Sequence, residues 1–152
     1  MRIIDFENRF RDDMIFLVLS AKDALGRVPR LNEDLLDVKT NYLDAGDMFW
    51  LALDENDRVI GCVGYRSIEN STEVFLHRLY VKPVMKRRGI GTALLKTAEE
   101  YLIAHGKTAA HVHLGEPKEQ WAESYRFYPK HGYKEYAPRL MKKDLLGGDE
   151  KR

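Results

Sequence analysis

The chain has 152 residues, 44% of them hydrophobic and 32% charged, with a formal net charge of +1. That length suits one domain with its own core, and the balanced charge argues against bulk electrostatic attraction to nucleic acid. A single cysteine, Cys62, excludes an internal disulfide and no apolar run is long enough to span a membrane, so a cytoplasmic protein is expected.

The opening residues MRIIDFENRF do not read as a signal peptide, and Met1 to Asp5 suits a short strand. Phe6, Phe10, Met14, Leu17, Val18, Ala21 and Leu25 then recur at helical spacing, with Gly26 as a stop. After a loop carrying Arg27 and Arg30, Asn32 is placed to cap a second helix that turns Leu35, Val38 and Tyr42 inward and ends near Gly46. Met48 to Leu53 is an unbroken apolar run, as a strand covered on both faces requires. Asp54-Glu55-Asn56-Asp57 turns the chain into a further strand, Val59 to Tyr65, where Gly61 and Gly64 indicate a bulge or close packing by a helix. Cys62 lies among apolar neighbours without an activating partner nearby in sequence, and reads as a small buried hydrophobe.

Glu73 to Val81 forms the central strand, and strict alternation places Glu73, Phe75, His77, Leu79 and Val81 on one face. The strand stops at Lys82-Pro83, and the turn Lys86-Arg87-Arg88-Gly89-Ile90-Gly91 follows. A helix then carries Ile90, Leu94, Ala98, Tyr101 and Leu102 on one face and ends near His105, with Gly106 just beyond it. A strand that runs through a basic glycine turn into a helix N-terminus is an anion site. The first helical N–H groups lack intrahelical partners, the dipole adds positive charge, and Gly89 and Gly91 admit close backbone approach. The ligand implied is a phosphate or pyrophosphate. The spacing is not a dinucleotide fingerprint, because Leu94 stands where a third glycine is needed, and no P-loop run is present.

Lys107 to Leu114 gives the next strand, with His111 and His113 on one face. Zinc needs three or four ligands, and the scattered histidines and lone cysteine supply no such set. No metal is therefore expected, and both histidines read as structural. Glu116 follows, as an acid–base group or as a carboxylate complementing the dipole of the next helix. That helix holds Trp121, Tyr125 and Tyr128 on one face, and Pro129 is expected to end or kink it at Tyr128. Tyr133 to Tyr136 and Arg139 to Asp144 close the sheet. One domain over 1–145 and a loose tail over 146–152 are expected.

Three stretches carry a family resemblance. Lys86 to Gly91 resembles the acetyl-CoA motif [QR]-x-x-G-x-[GA] of the GNAT N-acetyltransferases, with Lys86 where Gln or Arg is usual. Leu79-Tyr80-Val81-x-Pro83 is similar to that family's pantetheine-binding strand. Tyr128, Gly132 and Tyr133 fit its N-x-x-A-x-x-x-Y-x-x-x-G-[FY] pattern, with Trp121 in place of Asn and Ser124 in place of Ala.

The resemblance implies one α+β domain whose mixed, largely antiparallel sheet is flanked by helices. It implies acetyl-CoA as cosubstrate, held by Leu79, Tyr80 and Val81 on the strand and by Lys86, Arg87, Arg88, Gly89, Ile90, Gly91 and Thr92 at the turn. The reaction implied is direct acetyl transfer to a primary amine of a small molecule or peptide, with Tyr128 protonating the leaving thiolate. The family's commonest base position falls on Phe75, so Glu73, His77 and Glu116 compete for that role. Homodimers are common in the family, and neither nucleic acid nor membrane is an expected partner. Two alternatives stand beside this reading. One is a non-catalytic acyl-CoA-binding or regulatory module that kept the cradle and lost the base. The other is a nucleic-acid binder using Lys82 to Arg88, which steep salt dependence would reveal.

Overall fold

The computed structural model describes residues 1–146; residues 147–152, most of the expected tail, lie outside the described residues. Seven strands are formed, β1 (Arg2–Asp5), β2 (Phe49–Leu53), β3 (Val59–Ser67), β4 (Glu73–Val81), β5 (Ala109–His113), β6 (Lys134–Ala137) and β7 (Leu140–Asp144). Three α-helices accompany them, α1 (Arg11–Ala24), α2 (Ile90–Ala104) and α3 (Ala122–Lys130). The strands pair in the order β1-β2-β3-β4-β5-β7-β6. The β1–β2, β2–β3, β5–β7 and β6–β7 pairs are antiparallel and β4–β5 is parallel, so the expected mixed, largely antiparallel sheet is present. Two compact units arise, Met1–Arg66 with His77–Ala98, and Ser67–Leu76 with Glu99 onward.

In the first unit, Phe6, Phe10, Met14, Leu17 and Val18 bury against Phe49, Leu51, Leu53 and Cys62. Helix α1 begins only at Arg11, and Phe10 is delivered by a preceding 3-10 turn, Asn8–Phe10. The expected second helix is not α-helical. A 3-10 turn (Glu33–Asp37) and a π-helical turn (Lys39–Leu43) replace it, yet Leu35, Val38 and Tyr42 still point inward. Local side-chain bonds compete with the α ladder here. Asn32 makes no cap, because its Oδ1 accepts from the buried Lys22 Nζ at 2.6 Å. Asp37 accepts the Thr40 N–H, and the Asn41 amide donates to the Asp34 and Asp37 carbonyls.

Strand β4 departs from strict alternation. His77 sets its ring edge-on to Tyr42, and Tyr80, three residues later, packs on the same core. Residues three apart share a face only if the pleat is interrupted between them. The interruption is Arg78, whose φ of 59° is left-handed. The expected single face therefore holds only as far as His77. Left-handed backbone costs a non-glycine residue about 1–3 kcal/mol, so its surroundings must hold it there. Asp34 takes two bonds from the Arg78 guanidinium (2.9 and 3.1 Å) and one from the Tyr42 hydroxyl (2.6 Å). Cys62, fully buried as expected, donates its thiol to the Arg78 carbonyl, and burial pushes that thiol up to about 12.

Burial opposes the charge on Asp34, but the bonds from Arg78 and Tyr42 more than offset it, and its pKa falls below the ordinary 3.8. A depressed carboxylate stabilises the fold fully above its unfolded pKa, and that contribution is lost as pH falls through the lower folded value. Asp34→Asn is therefore expected to cost roughly 2–3 kcal/mol near neutral pH, between an exposed and a buried ion pair. Urea denaturation checks this, and the gap between variant and wild type should start to narrow below about pH 4 and shrink further as pH falls through the lower folded value.

In the second unit, the buried Glu99 accepts from the Tyr133 hydroxyl (2.7 Å) and from Lys143 Nζ (2.9 Å), tying α2 to β7. Of the expected end or kink at Tyr128, the end is not found: helix α3 includes Pro129 and stops at Lys130. So near the end, proline forfeits a single ladder bond, the one to the Tyr125 carbonyl. The Tyr128 carbonyl is satisfied from beyond the helix, by the N–H groups of His131 and Tyr133. On α2, Ile90, Leu94, Leu95, Ala98, Glu99 and Leu102 are buried. Tyr101 is only half-buried and stacks on His105, against the expectation that it shares the core face.

Candidate active site

The basic glycine turn opens where β4 ends. The Lys82 N–H bonds the Ile60 carbonyl at 2.8 Å, and a 3-10 turn, Pro83–Met85, leads into the loop. Arg87 (φ 68°) and Gly89 (φ 79°) are both left-handed, with Arg88 between them. Alternating hand along consecutive residues gathers their amides toward one side, as anion-binding concavities require. Gly89 also opens α2, since its carbonyl accepts the Ala93 N–H at 3.0 Å. The N–H groups of Ile90 and Gly91 follow with no intrahelical acceptor. At Gly89 the requirement is the hand of the backbone, because a Cβ there would meet nothing within 4 Å.

A glycine in the neighbouring strand admits the helix closely. A Cβ at Gly61 of β3 would lie 2.8 Å from Leu94 and 3.0 Å from Ile90, so the first turns of α2 lie directly on that glycine. Arg87 and Arg88 are exposed, and Arg88 reaches the Met85 sulfur. Lys86 and Thr92 are half-buried, as are Leu79, Tyr80 and Val81 on the last part of β4. Burial raises the pKa of the Tyr80 phenol, which Arg27 bonds from the loop after α1. Leu79 to Thr92 and His77 thus belong to the first unit, while Glu73, Glu116 and Tyr128 belong to the second.

The three base candidates separate on environment. His77 does not keep the ordinary pKa of an imidazole. Burial, then the Arg78 and Arg66 charges, push it down to about 4, which leaves a neutral, weakly basic imidazole. Its Nδ1 lies 3.4 Å from the Tyr42 hydroxyl. Glu116 is exposed, 3.6 Å from Arg139, on the rim of an open cavity of about 630 Å³ that Lys118, Tyr125 and Glu135 also line. Glu73 has the most ordered surroundings. Its Oε1 lies 2.5 Å from His111 Nε2, and His111 Nδ1 lies 2.8 Å from the Tyr136 hydroxyl. The Phe75 ring stands 5.2 Å from the His111 ring, across the parallel register that pairs Phe75 with His111.

A family model described as the acetyltransferase (GNAT) family matches residues 14–133. The chain belongs to the GNAT family. A curated relative, the probable N-acetyltransferase 14 of Xenopus tropicalis, is 28% identical over 93 residues, covering 61% of this chain and 43% of that protein. The chain therefore matches less than half the length of that relative. Among solved structures, a GNAT acetyltransferase from Staphylococcus aureus superposes with a TM-score of 0.86 at 19% identity, over 95% of this chain and 98% of that one. A PaiA N-acetyltransferase from Thermoplasma acidophilum, in complex with coenzyme A, gives 0.72 at 19% identity over 95% and 99%. These likenesses show the GNAT fold.

Within the GNAT pattern, Tyr128 is buried on α3, its ring edge-on to Phe127 and Tyr133. Trp121, where the family usually has Asn, packs its indole on Gly115 so tightly that a Cβ at 115 would overlap the ring. Sequence reading did not single out His111 or Tyr136 as partners of Glu73. The alternation along β5 offered His111, but its link to Glu73 depends on the β4–β5 register, which local sequence does not encode.

Proposed function

We propose that the protein is an acetyl-CoA-dependent N-acetyltransferase acting on a primary amine of a small molecule or peptide by direct attack. The observation that carries this reading is the left-handed Arg87/Gly89 turn opening α2, in a GNAT chain. That cradle suits a pyrophosphate, and exposed Arg87 and Arg88 add charge beside it. Lys86 to Thr92 would hold the diphosphate, and backbone around Leu79, Tyr80 and Val81 would pair with the pantetheine as an added strand. Acetyl-CoA supplies the activated thioester. A backbone N–H of β4 polarises its carbonyl.

Glu73 takes a proton from the acceptor ammonium, directly or through a water, and the Tyr128 hydroxyl gives one to the departing sulfur. Glu73 is preferred because His77 is too weakly basic and Glu116 faces Arg139. The reading takes residues 1–145 as the transferase domain of a cytoplasmic protein, without a metal. One observation favours a second reading: Phe75 occupies the usual base position, as in a module that binds acyl-CoA without turning it over.

A thiol-release screen with acetyl-CoA separates the two. It uses a broad panel of aminoglycosides, polyamines, amino acids and peptide N-termini. The transferase reading expects release above the amine-free rate with at least one class. Coenzyme A binding with no release across the panel would overturn it in favour of the module.

A further inference from the structure

Glu73, His111 and Tyr136 form one hydrogen-bonded line across three strands, β4, β5 and β6. Its middle member is buried, with His111 only 8% exposed. Its ends are accessible, since the Glu73 side chain is 36% exposed and Tyr136 50%. A carboxylate can only accept, so the ring proton of His111 must sit on Nε2. In a neutral ring Nδ1 is then an acceptor, and the Tyr136 hydroxyl is the donor that satisfies it. Among the described residues, the second carboxylate oxygen of Glu73 has no hydrogen bond.

We propose that His111 is the positioning residue of the Glu73 base. Its Nε2–H holds Oε1, the Tyr136 hydroxyl fixes that tautomer through Nδ1, and Oε2 is left to meet the acceptor amine. This rests on the transferase reading above and specifies how its base is held. The proton leaves the acceptor ammonium for Oε2 before its nitrogen attacks the thioester, and the His111 Nε2–H stays on Oε1 throughout. Among the described residues, the charged or titratable groups on the face of His111 are Glu73 from β4, His113 on β5 itself, Lys142 and Asp144 from β7, and Tyr136 and Lys134 from β6. Lys142 is the register partner of His111, and its ammonium lies 5.8 Å from the Tyr136 ring centroid. Lys142 reinforces the carboxylate by its charge and supplies no competing acceptor for Nε2–H.

The test is the pH profile of kcat, with coenzyme A affinity measured beside it, for the amine of the panel giving the highest wild-type turnover. His111→Leu removes the donor, and a base misplaced by about 1 Å loses about 100-fold in kcat where the amine is protonated. His111→Gln, which can donate from nearly the same point, retains most of the turnover. Tyr136→Phe, at a half-exposed position, loses about tenfold as the tautomer becomes free. All three converge on wild type at high pH, where the amine arrives neutral, and all keep wild-type coenzyme A affinity. His113→Gln, on the same strand, serves as the unchanged control. A loss equal at every pH and not rescued by Gln would overturn the proposal. If His111→Leu does not fold, full turnover in Tyr136→Phe overturns it alone. Wild-type protein inactive on every amine would instead remove the transferase reading itself, which separates the two failures.

Discussion

Tyr128→Phe is expected to lower turnover by about 100- to 10,000-fold, the usual range for losing a general acid, with coenzyme A binding nearly unchanged. The substitution keeps the ring, which packs edge-on against Phe127 and Tyr133, and so removes the hydroxyl and little else. A phenol stays protonated at neutral pH and can donate to a developing thiolate. Tyr125 is the informative comparison, because it lies three residues earlier on α3, lines the open cavity, and carries Lys118 over its ring at 4.7 Å. Steady-state kinetics of Tyr128→Phe and Tyr125→Phe decides the assignment. Turnover lost in Tyr125→Phe and kept in Tyr128→Phe would move the acid by three residues. Turnover kept in both would mean that solvent protonates the thiolate.

Glu73→Gln should lose turnover on the same scale, about 100- to 10,000-fold at neutral pH, but its loss should depend on pH. Glutamine keeps the length of the side chain and an oxygen that can accept the His111 Nε2–H, so the cross-strand contact survives. What disappears is the capacity to take a proton. An alkylammonium acceptor has a pKa of about 10, so at neutral pH nearly all of it needs a base, and well above that almost none does. The rate of the variant should rise with pH toward that of wild type. A loss constant from acid to alkaline pH would indicate damage to binding or folding. Undiminished turnover would leave Glu116, since His77 at about 4 is the poorer alternative.

What could be read from sequence follows how local its cause is. The turn between β4 and α2 was legible because a glycine-bearing break between an apolar strand and a helical repeat is a local signal, and Gly89 there is left-handed. Strand β2, buried at every residue, was legible because a continuous apolar run has no solvent face to offer. The left-handed turn of the backbone at Arg78 was hidden, since it is held by Asp34 and Tyr42, distant in the chain. The segment 33–43 carried the inward spacing of a helix, but Asn32, Asp37 and Asn41 spend their side chains on competing bonds. Pro129 misled because the rule against a helical residue before proline weakens where only one ladder bond remains to lose. The pairing of Glu73 with His111 required a register set by the sheet, and the fall in His77 basicity required knowing its burial.

Isothermal titration of coenzyme A into wild-type protein and into Gly91→Val tests the central claim most directly. The account predicts saturable binding to wild type and a loss of at least about tenfold in affinity in the variant, equivalent to about 1.4 kcal/mol, as the added side chain intrudes where backbone must approach a diphosphate. Removing the exposed Arg87 or Arg88 charge should cost less, about 0–1 kcal/mol. Equal affinity in wild type and a folded Gly91→Val, or no binding by wild type, would contradict the assignment of this turn as the coenzyme A site.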